Sequence, residues 1–399
     1  MLHRIDENSL ADIEFRMKWK SAEGVHTDAS LIMVNCWRDM LPASVYEQLT
    51  GAGPGEQKTF RFAPGELIEK HNEKHQYRIR RDRFDEKRAV PAFGRFYPRG
   101  ILGGFYNVFP QNVAPVRCAG VDARSVDVDF NHPLAGYEIE LTAAVHSVTD
   151  KPFDRGGQCK ELSETVASDG PGMQARYKGI PTDFSAPGAF ARDDETDDTR
   201  FYEKPRLVTH IDDRAIETIS GLYGEFLSPE MRVLDLMSSW RSHVPENARP
   251  KEMIGLGMNA REMEDNPQLT DFVIHDLNEK PQLPFADNTF DRIICTVSVE
   301  YMTRPLEIFI ESARILKPGG VLIHTFSNRW FPPKVIRLWT ELHEFEHMGL
   351  VMDYFLRTEK FTDLATFSSR GWDRPETDRY WPDMPQSDPV FAVWGTCRK

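Results

Sequence analysis

Between Met231 and Asn328 the chain repeats one unit: a short, continuous apolar run, a turn, and a segment of helical character. The runs are Arg232-Val-Leu-Asp-Leu-Met237, Glu252-Met-Ile-Gly-Leu-Gly257, Phe272-Val-Ile-His275 and Phe290-Asp-Arg-Ile-Ile-Cys-Thr-Val297, followed by Val321-Leu-Ile-His-Thr-Phe326. They do not alternate between apolar and polar residues, so each suits a central strand covered on both faces. Before the last run, Leu306, Phe309, Ile310, Ala313 and Leu316 fall at helical spacing behind Pro305, a residue suited to a helix start. Strands and helices in this rhythm predict a parallel, doubly wound sheet, a class that binds its ligands at the carboxyl ends of the strands.

A chain of 399 residues is long for one domain and predicts two. The net charge of −13 argues against a nucleic-acid or membrane surface. The locally basic stretch from Arg78 to Arg99 reads best as a solvated face. Cys36, Cys118, Cys159, Cys295 and Cys397 are scattered and form no C-x-x-C, so neither a disulfide framework nor a cysteine metal site is expected. The acidic start Met1-Leu-His-Arg-Ile-Asp-Glu has no apolar core of a signal peptide, and no run of 18 apolar residues occurs. A cytoplasmic protein is the expectation. His71 and His75 are four apart, but they sit in a charged stretch, and no metal is expected there.

The first third is mostly β. Ile13, Phe15, Met17 and Trp19 alternate with charged residues, as do Ser125 to Phe130 and Tyr137 to Val148. Within it, Val128-Asp-Phe-Asn-His-Pro-Leu-Ala-Gly136, the hairpin holding Glu23, Gly24 and Asp28, and Leu49-Thr-Gly-Ala-Gly-Pro-Gly55 resemble the bacterial SlyD/SlpA-type FKBP peptidyl-prolyl isomerases. The resemblance implies an FKBP-like domain over residues 1–152, with an insertion in its flap at about 77–127. It also implies a proline pocket at Asp28, Met17 and Leu141. Met17 and Leu141 stand where that family has aromatic rings, so binding a polypeptide is expected more than isomerising it.

From Asp154 to Asp198 periodicity is lost among Gly-Pro turns and the acidic run Asp193-Asp-Glu-Thr-Asp-Asp198, which predicts a flexible linker over 153–199. Order is expected again from Arg200. A helix capped by Asp212 or Asp213 leads into the sheet, and Tyr202, Arg206 and His210 are candidates to lie across the strand ends.

The strand ends carry the chemistry. Val233-Leu-Asp-Leu-Met-Ser-Ser-Trp-Arg-Ser-His243, Ile254-Gly-Leu-Gly-Met-Asn259, His275-Asp276-Leu277 and Val297-Ser-Val-Glu-Tyr301, with Pro284-Phe-Ala-Asp-Asn-Thr-Phe-Asp291 and Leu316-Lys-Pro-Gly-Gly320, resemble a class I S-adenosylmethionine-dependent methyltransferase of the type 11 group, over residues 200–399. The resemblance implies a Rossmann-like sheet of seven strands and S-adenosyl-L-methionine as cofactor. It assigns the amino-acid end of the cofactor to Asp235, with Met237 and Ser239 in the loop behind it. Asp276 and the Leu277 amide fall to the adenine, Ser298 and Val299 to the pocket wall. Met237, Ser239 and Arg241 replace the family's three loop glycines, and Gly257 stands where its ribose-binding acid does, so Asn259 is assigned the ribose. His210, His243, Tyr301 and His324 are candidate bases. The tail aromatics Phe331, Trp339, Phe345, Tyr354, Phe355 and Trp372 are candidates to clasp an acceptor.

The fold class that follows is two-domain, α+β then α/β: an FKBP-like β domain with a flap insertion, then a methyltransferase sheet. The expected function is methyl transfer from S-adenosyl-L-methionine to an unidentified small molecule or polypeptide, fused to a prolyl-isomerase-like or chaperone module. The rival expectation is an isomerase or chaperone whose rear domain does not catalyse.

Overall fold

The structure, a computed structural model, describes residues 3–151, 156–168 and 170–398. The expected boundary between residues 152 and 153 touches residues outside that set. The chain forms two compact units, Met1–Asp183 with Ser369–Trp372, and Phe184–Ser368 with Asp373–Lys399.

In the first unit, β1 (Ser9–Lys20) and β2 (Val25–Asn35) form a hairpin, α1 (Ala43–Leu49) buries Val45 and Leu49, and β3 (Gln57–Phe62) follows. Then come β4 (Gln76–Arg80), β5 (Phe96–Pro98), β6 (Pro115–Val121), β7 (Ser125–Asp129), β8 (Ile139–Asp150) and α2 (Leu162–Ala167). The strand order β2-β1-β8-β3 is antiparallel throughout. Along β1 the period-2 pattern places Ile13, Phe15, Met17 and Trp19 in the core. The region 77–127 contributes to a second sheet, β4-β7-β6-β5, with its own core of Phe84, Tyr97, Ile101, Leu102, Val116, Cys118, Val126 and Val128. Two of its basic residues are neutralised locally, Arg78 by Asp122 at 2.5 Å and Arg81 by Glu86 at 2.6 Å.

Asp28, Met17, Leu141 and Phe60 form one row across β2, β1, β8 and β3. Residues paired directly across strands share a face. Asp28, Met17 and Leu141 are at most 1% exposed, so the row expected to be a proline pocket is closed. The Asp28 carboxylate accepts from Arg370 Nε and Nη2 at 3.0–3.2 Å, and Arg370 donates also to the Val166 carbonyl at 2.9 Å.

The stretch expected to be a flexible linker is, where described, built into the two units. Met173, Ala175 and Tyr177 are buried. Arg117 donates to the Ala175 carbonyl at 2.8 Å, and the Tyr177 hydroxyl meets Gln76 and Asp129. In the second unit the acidic run is held by Lys334, fully buried, whose ammonium reaches Asp198 at 3.0 Å, Asp194 at 3.3 Å, and the carbonyls of Asp194 and Thr196. Arg192 adds a two-pronged bond to Asp198 at 2.7 and 2.8 Å. Of these two cations Lys334 lies more than a hundred residues from the acids, a connection no local window of sequence reveals.

The second unit runs α3 (Asp198–Tyr202), α4 (Asp213–Phe226), β9 (Arg232–Leu236), β10 (Glu252–Gly257), α5 (Ala260–Glu264), β11 (Asp271–Ile274) and β12 (Phe290–Thr296). It continues through α6 (Pro305–Ile315), β13 (Leu316–Phe326), α7 (Arg337–Glu341), α8 (Glu344–Thr358), β14 (Phe361–Arg370) and β15 (Val390–Cys397). The strand order is β11-β10-β9-β12-β13-β15-β14, with β11 through β13 parallel and β15 antiparallel to β13. Asp212 caps α4 by accepting from Ala215 N at 2.9 Å. The apolar face of α6 is displaced from the expected one. Ile308, Phe309, Ser312 and Ala313 are buried, whereas Ile310 is 46% exposed.

Candidate functional site

The chain order reverses beside β9, between β10 and β12, and there the loops after the parallel strands splay apart around a cavity of about 410 Å3. Asp235, the penultimate residue of β9, is 3% exposed. Its Oδ2 accepts from Ser238 Oγ at 2.6 Å and Ser242 Oγ at 2.7 Å. Burial nevertheless wins over both bonds and pushes its pKa up to about 6. Met237 follows with φ 59°, the left-handed conformation a glycine adopts without penalty. The loop thus keeps a glycine's backbone at this position while carrying a side chain. Arg241 lines the cavity but does not plug it. Its guanidinium lies 4.0 Å from the Trp240 ring centroid and donates to the carbonyls of Trp240 at 2.5 Å and Asp265 at 2.9 Å.

At the end of β10, Ser238 N donates to the Leu256 carbonyl, and a Cβ on Gly257 would collide with the Ser238 carbonyl. The close approach of this loop explains why no acid stands at 257. Asn259 lines the cavity, but its amide is committed elsewhere. Nδ2 donates to the carbonyls of Tyr202 at 2.8 Å and Glu203 at 3.1 Å, and Oδ1 caps α5 by accepting from Glu262 N. The ribose assignment to Asn259 therefore does not fit. A carboxylate missed in the sequence, Glu262, lines the cavity one turn further on. It accepts from Ser239 Oγ at 2.7 Å and Arg206 N at 2.6 Å, one donor per oxygen, which leaves acceptor capacity on both. The only sequence signal for it was its place in the first turn of the helix after β10.

After β11, Asp276 Oδ1 accepts from the amides of Asn278 at 2.8 Å and Glu279 at 3.2 Å, so this oxygen fixes the turn. Among the described residues Oδ2 accepts no such bond, and Asp276 and Leu277 both line the cavity. After β12, Val297 has φ 47° and lines the cavity beside Ser298, whose hydroxyl turns back to the Thr296 carbonyl at 2.9 Å. Val299 is buried in the 3-10 turn behind them and is not part of the wall, because the turn rotates it inward.

The candidate bases separate clearly. His324 is fully buried, stacked on Phe309 at 4.8 Å and outside the cavity. Tyr301 lines the cavity, but its hydroxyl accepts from Phe331 N at 2.8 Å and burial drives its pKa well up, which keeps the phenol protonated. His243 also lines it, held neutral by burial and then Arg241, with a pKa lowered to about 4. His210 lines the mouth, and burial followed by Arg206 lowers its pKa as well. Of the tail aromatics only Phe331 faces the cavity. Trp339, Phe345, Tyr354 and Phe355 are core, and Trp372 belongs to the first unit. Tyr380 and Arg379, not singled out in the sequence, complete the mouth with Trp330 and Arg329.

A doubly wound sheet with carboxylates at the ends of its central parallel strands defines the class of proteins that cradle a nucleoside-like cofactor at the switch point. Residues 251–324 match the family model of the methyltransferase domain. This stretch contains Gly257, Glu262, Asp276 and Ser298, and S-adenosyl-L-methionine is the cofactor it implies. Among curated proteins, the chain is 26% identical over 108 residues to a malonyl-[acyl-carrier protein] O-methyltransferase of Marinomonas sp., which covers 27% of this chain and 38% of that protein. It is 38% identical over 71 residues to the ubiquinone/menaquinone biosynthesis C-methyltransferase UbiE of Ruegeria sp., covering 18% and 27%. The chain thus spans well under half the length of these relatives. Among solved structures, it is similar to a complex between the Haloferax volcanii Trm112 methyltransferase activator and a methyltransferase, with TM-score 0.34, 16% identity, and 47% and 91% of the two chains covered. An S-adenosylmethionine-dependent methyltransferase of Thermotoga maritima gives 0.33, 17%, 46% and 92%.

The residues present fit the cofactor's polarity. The sulfonium nucleoside offers an adenine amino group, ribose hydroxyls and an ammonium, and the cavity wall offers carboxylates at Asp276, Glu262 and Asp235 with unspent acceptor capacity.

Proposed function

We propose that the chain is an S-adenosyl-L-methionine-dependent methyltransferase whose front unit is an FKBP-like binding module with a flap insertion. The single observation that carries the enzymatic part is the coincidence of the matched stretch with the cavity at the strand ends. When bound, the cofactor supplies an electrophilic methyl group. Asp276 Oδ2 accepts from the adenine amino group with the Leu277 amide beside it. Glu262 takes the ribose hydroxyls in place of an acid at 257. Asp235, pinned by Ser238 and Ser242, orients the ammonium. His210, kept neutral at the mouth by burial and then Arg206, would accept a proton from the attacking group at a ring nitrogen. Methyl transfer is an in-line displacement, so positioning supplies most of the rate. The front unit's antiparallel sheet and separate second sheet support the FKBP-like reading of its fold, and its closed row argues for binding rather than isomerisation. Calorimetric titration of the full chain with S-adenosylhomocysteine tests the proposal: micromolar binding is expected, weakened at least about tenfold by Asp276→Ala through loss of a charge-assisted bond. No heat with the parent protein would sink it.

A further inference from the structure

The mouth of the cavity carries positive charge that the fold leaves unneutralised. Arg206 and Arg379 both line it. The Arg206 guanidinium donates to the Phe201 carbonyl at 2.9 Å and lies 4.5 Å from the Phe201 ring and 5.1 Å from that of Phe331. Arg379 donates to the Tyr380 hydroxyl at 2.8 Å and sits 4.6 Å from its ring. Among the described residues neither guanidinium has a carboxylate within 4 Å. Other arginines around the site are paired: Arg329 with Asp388 at 3.0 Å, Arg192 with Asp198 at 2.7 Å, Arg241 with Asp265 at 3.4 Å. With 62 acidic residues against 49 basic ones, two unpaired guanidiniums converging on one mouth stand out.

Arg379 is carried there by a fixed segment. Arg374, 1% exposed in its side chain, bonds Asp388 at 2.6 Å, Asp212 at 3.2 Å and Asp378 at 3.3 Å. Asp378 in turn accepts from Tyr380 N at 2.8 Å. Both arginines bear on His210, where after burial Arg206 disfavours its charged form, Glu262 opposes it, and Arg379 adds a smaller push in the same direction as Arg206. Arg206 is half-buried while Arg379 is exposed, so the cost of an unpaired, partly desolvated cation falls on Arg206, and an incoming anion removes it. Guanidinium forks match a carboxylate in two bonds, and with Arg206 over Phe331 and Arg379 over Tyr380 the Trp330 ring is the flat face left beside them.

We propose that Arg379 and Arg206 clamp a carboxylate on the methyl acceptor, which is a flat, aromatic-type small molecule bearing that group. The proposal rests on the methyltransferase reading. It places the acceptor's anion at the outer mouth, while the cofactor's own amino-acid end lies deeper, at Asp235.

The full chain, saturated with S-adenosylhomocysteine, is titrated with benzoate and with the uncharged isostere benzamide. Benzoate binds at least about tenfold tighter than benzamide, the scale of two charge-assisted bonds against neutral ones. R379Q and R206Q each remove most of that preference, R379K retains part of it, and R379Q leaves affinity for S-adenosylhomocysteine within about twofold. Equal binding of benzoate and benzamide overturns the proposal, as does a preference that survives both substitutions. So does an R379Q protein that loses S-adenosylhomocysteine but keeps benzoate, since the guanidinium then serves the cofactor. If the parent protein binds no S-adenosylhomocysteine, the methyltransferase reading falls and the clamp with it.

Discussion

Asp235 is a carboxyl group that the fold makes reluctant to ionise. Its pKa of about 6 lies above the ordinary 3.8, so the native protein holds this proton more tightly than the unfolded chain. Native stability from this group therefore falls as pH rises between about 4 and 6, the reverse of the usual salt-bridged carboxylate. Cofactor binding runs the other way, because the ammonium end prefers the ionised form, present above about 6. Affinity for S-adenosylhomocysteine is expected to rise from pH 5 to 7 and then level off, and Asp235→Asn is expected to abolish the rise. Calorimetry across that range checks this, and a flat profile in the parent protein would remove Asp235 from the site. The position of Asp235 near a strand end was legible in sequence because it is the one acid in an apolar run, two residues before that run stops. Asn259 was misassigned for a physical reason: an amide that caps a helix and bonds two distant carbonyls looks, in sequence, like one free to bind a ligand. Glu262 was missed because helix position alone does not say which face meets the cavity.

Among elements, the segment leading into the second unit shows how charge substitutes for apolar burial. Lys334 is fully buried on two carboxylates and two carbonyls, and Asp198 passes the connection on to Asn278 Nδ2 at 3.1 Å, in the turn after Asp276. Breaking a buried ion cluster by removing one member typically costs about 3–5 kcal/mol, less where another cation remains, as Arg192 does here. Lys334→Met is therefore expected to destabilise the protein by about 2–4 kcal/mol and to expose residues 192–198 to protease. Thermal unfolding with limited proteolysis measures both, and a variant as stable and as resistant as the parent would mean the segment is anchored elsewhere. The strands of the second unit were legible because burial on both faces demands unbroken apolar runs. The buried face of α6 was not, since Ile310 fits the helical period yet lies on the outer side.

For the whole molecule, the front unit is expected to bind without isomerising. Asp28, Met17 and Leu141 are in register and closed, and Arg370 already occupies the Asp28 carboxylate. The full chain should therefore not accelerate cis–trans exchange in a proline peptide above the uncatalysed rate. Robust acceleration in a protease-coupled assay would show that the row opens. The sequence by itself determined the two-part division into a mostly β front and an alternating rear, and which strand ends carry Asp235 and Asp276, because both follow from local periodicity and from the apolar runs that end there. Only the tertiary structure decided which polar groups remain free to meet a ligand. That depends on partners far apart in the chain, such as Arg374 setting Arg379 at the mouth, Ser238 closing on Gly257, and Asn259 spent on the backbone at 202–203.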